Sequence, residues 1–114
     1  MSKRSRQLLL EDMLEAANKI KIYCQEHTLE SFLSDEKTKD AVTRNFEIIG
    51  EAANRLSSSF KEENPDLRWE RLRGFRNRIV HEYFGVDHQI IWSIVENDLD
   101  FYIEEIQLLI KLNN

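Results

Sequence analysis

The stretch "AVTRNFEIIGEAANRLSSSF", Ala41 to Phe60, decides the fold. Its apolar residues Val42, Phe46, Ile49, Ala53, Leu56 and Phe60 step by four, three, four, three and four. A helix turns once in about 3.6 residues, so these steps paint one face for packing against another helix. The spacing predicts a long helix with Ser34 as its N-cap, ending near Phe60. Lys37 stands at the third helical position, where a capping box would hold Glu. Gly50, inside the stretch, reads as a point where a neighbouring helix approaches closely.

Working toward the N-terminus, Leu9, Met13, Ala16, Ile20 and Tyr23 recur at three- and four-residue steps and predict a first helix from about Ser5 to Glu26. "HTLESFLS" (27–34) breaks that pattern and reads as a short turn. On the other side, "KEENPDLR" (61–68) holds the sole proline, Pro65, and reads as a loop. A shorter helical region is predicted from Trp69 to about Tyr83, jointed at Gly74 and closed by Gly85. Asp87 then caps a last helix to about Leu112, with Ile91, Ile94, Val95, Leu99, Tyr102, Ile106 and Leu109 facing inward. The expected fold is all-α, an up-and-down bundle of four to five helices, with residues 1–114 as one domain.

Composition narrows the function classes. The content of 41% apolar and 32% charged residues is that of a soluble globular chain, and three Gly and one Pro leave little material for hairpins. Apolar runs such as "LLL" (8–10) are too short to span a membrane. Lys3, Arg4 and Arg6 are followed at once by Glu11 and Asp12, so they read as a solvated helix start. Cys24, the single cysteine, fits a buried helix face and has no partner for an internal disulfide. With no secretory pattern at the start, a cytoplasmic location is expected. Asp87 and His88, with Asp98 and Asp100, lack convincing ligand spacing, and there is no glycine-rich phosphate loop. No metal and no cofactor are expected. Trp69 and Trp92 read as core anchors, and His27 and His88 as surface residues.

One segment departs from this plain picture. Between Arg68 and Arg78, five arginines against one glutamate give a charge of +4 and leave the remainder of the chain at −9, for a total of −5. Such a local inversion points to an anionic partner for that segment. Placed on a helix, Leu72, Phe75 and Ile79 fall between about 260° and 320°, with Arg76 at zero and Tyr83 near 340°. Asn77 then lies near 100° and His81 near 140°, almost opposite the apolar stripe. Arg76 and His81 diverge too far for an easy grip on one phosphate. A second copy of the helix across a two-fold axis would remove that difficulty, and so would unwinding near the helix end.

The residue types suit RNA cleavage without a metal. That reaction needs a base for the ribose 2′-hydroxyl proton, an acid for the departing 5′-oxygen and a fixed cation for charge growing on phosphorus. Histidine titrates in the right range for the proton transfers, and arginine grips phosphate oxygens at two points. Asn77 would orient His81, and the Tyr83 hydroxyl would bond a phosphate oxygen. Arg71, Arg73 and Arg78 are candidates for RNA-backbone contacts or for a merely solvated face.

"LRGFRNRIVHEYFGVD", with Trp69 just ahead of it in "WERLRG", resembles the HEPN superfamily, and within it the HepT-like ribonuclease toxins. The family mark is Arg, a polar residue, three further positions, His, any residue and Tyr, here Arg76, Asn77, His81 and Tyr83. "FEIIGEAANRLS" (46–57) and "VDHQIIWSIVENDL" (86–99) are similar to the family as well. The resemblance implies a homodimer with motif helices meeting near the two-fold axis, and a metal-independent endoribonuclease acting as the toxin of a toxin–antitoxin pair. It also implies a nucleotidyltransferase antitoxin of the MntA type that adds adenylyl groups to Tyr83. Two rival readings stay open: a non-catalytic module whose arginine face docks a partner protein, and an RNA-binding helper that does not cut.

Overall fold

The computed structural model describes residues 4–69, 72, 80, 81 and 85–113. The described residues form six α-helices: α1 (Arg6–Cys24), α2 (Leu29–Ser34), α3 (Glu36–Arg55), α4 (Ser58–Glu63), α5 (His88–Asn97) and α6 (Leu99–Leu112). A 3₁₀ turn covers Pro65–Leu67, and two short strands, β1 (Val80–His81) and β2 (Gly85–Val86), pair with each other. The expected all-α class holds, with this small strand pair as its one non-helical ornament among the described residues.

The central seam is α1 against α3, and α6 packs on α1 as well. Ser5 starts α1 by accepting a hydrogen bond from the Leu8 amide at 3.2 Å. The helix then buries Leu9, Leu10, Met13, Ala16, Ala17, Ile20 and Cys24. These span an arc that is displaced from the one the sequence suggested, which leaves Tyr23 at its edge, 39% exposed. From α3, all six residues of the four–three rhythm are buried or lie just beyond the helix end: Val42, Phe46, Ile49, Ala53, Leu56 and Phe60. Removing a side chain of such size from water is worth roughly 1.5–3 kcal/mol each, apart from the alanine. Asn45 shares the buried face of α3 and satisfies its amide by donating to the Ala41 carbonyl at 2.8 Å.

Several boundaries differ from the sequence reading, each for a local reason. Residues 27–34 are not a simple turn. Thr28 and Ser31 form a reciprocal capping box that starts α2, and Phe32 from this helix is fully buried. The cap of α3 is Asp35 rather than Ser34: its carboxylate accepts from the Thr38 amide at 3.1 Å and the Thr38 hydroxyl at 2.9 Å. The long helix stops at Arg55, where Leu56 turns extended and Ser57 opens α4 by accepting from the Phe60 amide. Lys61 of α4 donates back to the Ala53 carbonyl at 3.0 Å, satisfying an orphan acceptor at the α3 C-terminus. The C-terminal helix is likewise two helices, separated at Asp98.

The third helical region was expected to reach Tyr83. Trp69 and Leu72 are helical, but Val80 and His81 are extended, and Gly85 lies in a strand instead of closing a helix. Val80 pairs with Val86 and His81 with Gly85 in antiparallel register. Trp69 and Trp92 are core anchors as expected, at 6% and 8% exposure. His27 and His88 lie at the surface, each half-buried.

Candidate active site

The arginine segment leaves the helical frame through two firm contacts. Trp69 packs against Phe60 and donates its indole N–H to the Asn64 carbonyl at 2.7 Å. Leu72 is fully buried, and its backbone oxygen rests over Gly50 of α3. Just before Trp69, Arg68 adopts a left-handed backbone at φ 55°, its amide bonded to the Pro65 carbonyl. That conformation turns the chain out of the 3₁₀ turn. The Arg68 guanidinium lies 6.0 Å from the Phe101 ring centroid, a cation–π distance. One of the five arginines is thereby assigned to α6.

Where the chain rejoins the frame, the anchor is β2. Val86 packs against the core, and Asp87 caps α5 by accepting from the Gln89 and Ile90 amides at 3.1 and 3.2 Å. The His81 backbone lies opposite Gly85, in the strand that runs directly into this cap. His81 therefore belongs to the extended part of the chain. The 140° separation drawn from a continuous helix does not apply to it. Arg76, Asn77 and Tyr83, with the candidate RNA contacts Arg71, Arg73 and Arg78, lie outside the described residues.

Two other groupings have chemistry to weigh. The His27 Nδ1 lies 2.9 Å from Ser31 Oγ, and its Nε2 lies 3.7 Å from Asp35 Oδ2. These residue types are those of a hydrolytic triad, but the connections are those of a helix cap. Ser31 Oγ accepts from the Thr28 amide at 2.9 Å, and Asp35 is held by Thr38, whose bonds keep its carboxyl below the usual range. This cap is hard to see in the sequence because Thr28-x-x-Ser31 closes with a serine where Glu or Gln is the usual signal. Separately, a groove of about 540 Å³ opens between the C-terminal end of α1 and helices α5 and α6, with Cys24, Leu29, Trp92 and Leu99 in its lining and a Lys21–Asp100 ion pair of 2.9 Å at its side. None of the predicted site residues is among its described lining. Burial raises the Cys24 thiol to about 11, which suits a packing residue and not a nucleophile.

Among the described residues, no set of His, Cys, Asp or Glu is grouped to hold a metal ion, and no helix is long and apolar enough to cross a membrane.

Comparison with known proteins places these features in a wider set. Residues 13–109 match the family model described as "Ribonuclease HepT-like". The chain is similar to the Methanocaldococcus jannaschii protein named "Putative RNase MJ1380", 34% identical over 96% of this chain and 100% of the relative. It is similar also to "Probable ribonuclease HepT" of Thermococcus cleftensis, 40% identical over 85% of this chain and 88% of the relative. A second M. jannaschii protein, "Putative RNase MJ0127", is 37% identical over 97% of this chain and 92% of its own length. No solved structure matches the chain.

Proposed function

We propose that this chain, which belongs to the Ribonuclease HepT-like family, cuts RNA as a metal-independent endoribonuclease, working as one helical domain in a homodimer. The observation that carries the reading is the matched span of residues 13–109, which contains the whole run from Arg76 to Tyr83.

In this reading the His81 imidazole of one protomer takes the ribose 2′-hydroxyl proton, and the 2′-oxygen attacks the adjacent phosphorus. The bond from phosphorus to the 5′-oxygen breaks, and the 5′-oxygen leaves with a proton from the second His81. The products are a 2′,3′-cyclic phosphate and a free 5′-hydroxyl. Arg76 neutralises the charge that builds on the non-bridging oxygens, which is worth most where water is excluded. Asn77 holds the imidazole in one orientation, Tyr83 bonds a phosphate oxygen, and Arg71, Arg73 and Arg78 hold the flanking backbone. The chain serves in the cytoplasm as the toxin of a toxin–antitoxin pair. Its partner, a nucleotidyltransferase antitoxin, transfers an adenylyl group from ATP to the Tyr83 hydroxyl and releases pyrophosphate. That adds bulk and negative charge where the RNA phosphate would sit.

The test is cleavage by the purified chain in the presence of a chelator. Wild type should yield cyclic-phosphate ends, and His81→Ala should lower the rate by at least about 10²-fold, the scale of a lost proton-transfer group. Full activity in His81→Ala, or intact RNA with wild type at every concentration, overturns the nuclease. Growth arrest on expression, relieved by the nucleotidyltransferase together with one adenylate of added mass on Tyr83, tests the pairing.

A further inference from the structure

Gly50 lies where α3 meets Leu72 of the arginine segment. A Cβ added there would stand 3.2 Å from the Leu72 backbone oxygen, closer than the ordinary contact range of 3.4–4 Å. Neither wall of that contact yields easily. α3 is fixed by Phe46, Ile49 and Ala53 in the seam with α1, and the Leu72 side chain is itself fully buried. The atom approached is a main-chain carbonyl, not the end of a flexible side chain. Glycine inside a helix is unfavourable relative to alanine, so its presence calls for a compensating reason. The close seat of Leu72 supplies one.

We propose that Gly50 is a positioning residue for the ribonuclease reaction: its missing side chain lets the Leu72 carbonyl rest on α3 and so fixes the arginine segment four residues ahead of Arg76. This rests on the ribonuclease reading above. Arg76 follows Leu72 by four residues, so a shift of a few tenths of an ångström at Leu72 is passed along the covalent chain toward it. Proximity effects are steep, and misplacement by about 1 Å is enough to cost on the order of 10²-fold in rate. The smaller shift expected here corresponds to about tenfold.

The experiment compares Gly50→Ala with Asn54→Ala, an exposed position on the same helix that also gains alanine. Gly50→Ala should lower kcat about tenfold and leave KM within about twofold. Its melting temperature should match that of Asn54→Ala, whose kinetics stay at wild type. Amide chemical shifts should move through residues 72–78 in Gly50→Ala and stay put there in Asn54→Ala. Wild-type kcat in Gly50→Ala, or shifts confined to the neighbours of Gly50 on α3, overturns the proposal and leaves the nuclease reading intact. If wild type cuts no RNA, the nuclease reading fails by itself. The chemical shifts then still decide whether Gly50 sets the segment.

Discussion

The seam between α1 and α3 and the segment from Arg68 to Arg78 are held by different physics. The seam is a continuous apolar contact: Leu10, Met13, Ala17, Ile20, Val42, Phe46 and Ala53 are at or near zero exposure. The segment is a run of like charges, +4 within a chain of −5. Its described anchors are Trp69 and Leu72, and the β1–β2 pair follows it in the chain. A buried seam stabilises by removing apolar area from water and gains nothing from guanidinium groups. A row of guanidinium groups repels itself until an anion arrives. On the ribonuclease reading proposed above, stability and chemistry fall to separate parts of the molecule, and single substitutions can test that separation.

The largest expected effects form a crossed pair. Phe46→Ala removes a ring that is 1% exposed and should cost about 3–5 kcal/mol in urea unfolding. The folded fraction should still cut RNA at a near-normal rate. Arg76→Ala should do the reverse, losing about 10²-fold or more of the cleavage rate with the urea midpoint unchanged. If Phe46→Ala lowers kcat of the folded fraction as strongly as Arg76→Ala does, seam and segment are one unit and the separation fails.

How much of this was legible in the sequence depended on what kind of signal each feature leaves. The α3 stripe was readable because its period runs for five turns. The same period concealed the break at Ser57: Leu56 and Phe60 are both buried, so the apolar rhythm continues across a chain that is no longer one helix. Asp98 hid in the C-terminal pattern in the same way, between Ile94 and Leu99, both buried. α2 has six residues, too few for periodicity to register, and its capping box departs from the usual composition. At the candidate site, residue types carried the reading and geometry did not. A helical wheel extended to His81 treats Val80 as helical, although a β-branched residue near a glycine is as well suited to the short strand pair observed. Gly50 was readable as a close approach, but that the approaching group is the Leu72 carbonyl required the fold.

A smaller effect sharpens the boundary between the two regions. Ser57 holds the first turn of α4, and α4 carries Phe60, on whose ring Trp69 packs. Ser57→Ala should cost about 1 kcal/mol, the usual value of a helix N-cap. The loss should fall on the side nearer the segment. Hydrogen exchange is expected to speed up in residues 58–69 and to remain slow in α1. Uniform acceleration through α1 and α3 would mean that α4 belongs to the seam.

The smallest effect is a pH dependence that belongs to the frame alone. His88 opens α5 with its ring edge against Phe32, the ring centroids 6.4 Å apart. Burial first, and then the Lys39 ammonium, lower its pKa below 6.5, although Glu36, Asp40 and Asp87 pull the other way. The unfolded chain therefore binds a proton at His88 at a higher pH than the folded chain does. Between the two values the unfolded state holds more protons, so stability must fall as pH drops from above 6.5 through the folded pKa. Urea midpoints at pH 7.5 and pH 5 (about one unit above and one and a half below the ordinary histidine pKa) should show wild type losing more than His88→Gln. An equal loss in both would place the titrating group elsewhere. A larger loss in His88→Gln would reverse the sign, and would mean that the acidic neighbours outweigh burial at this ring.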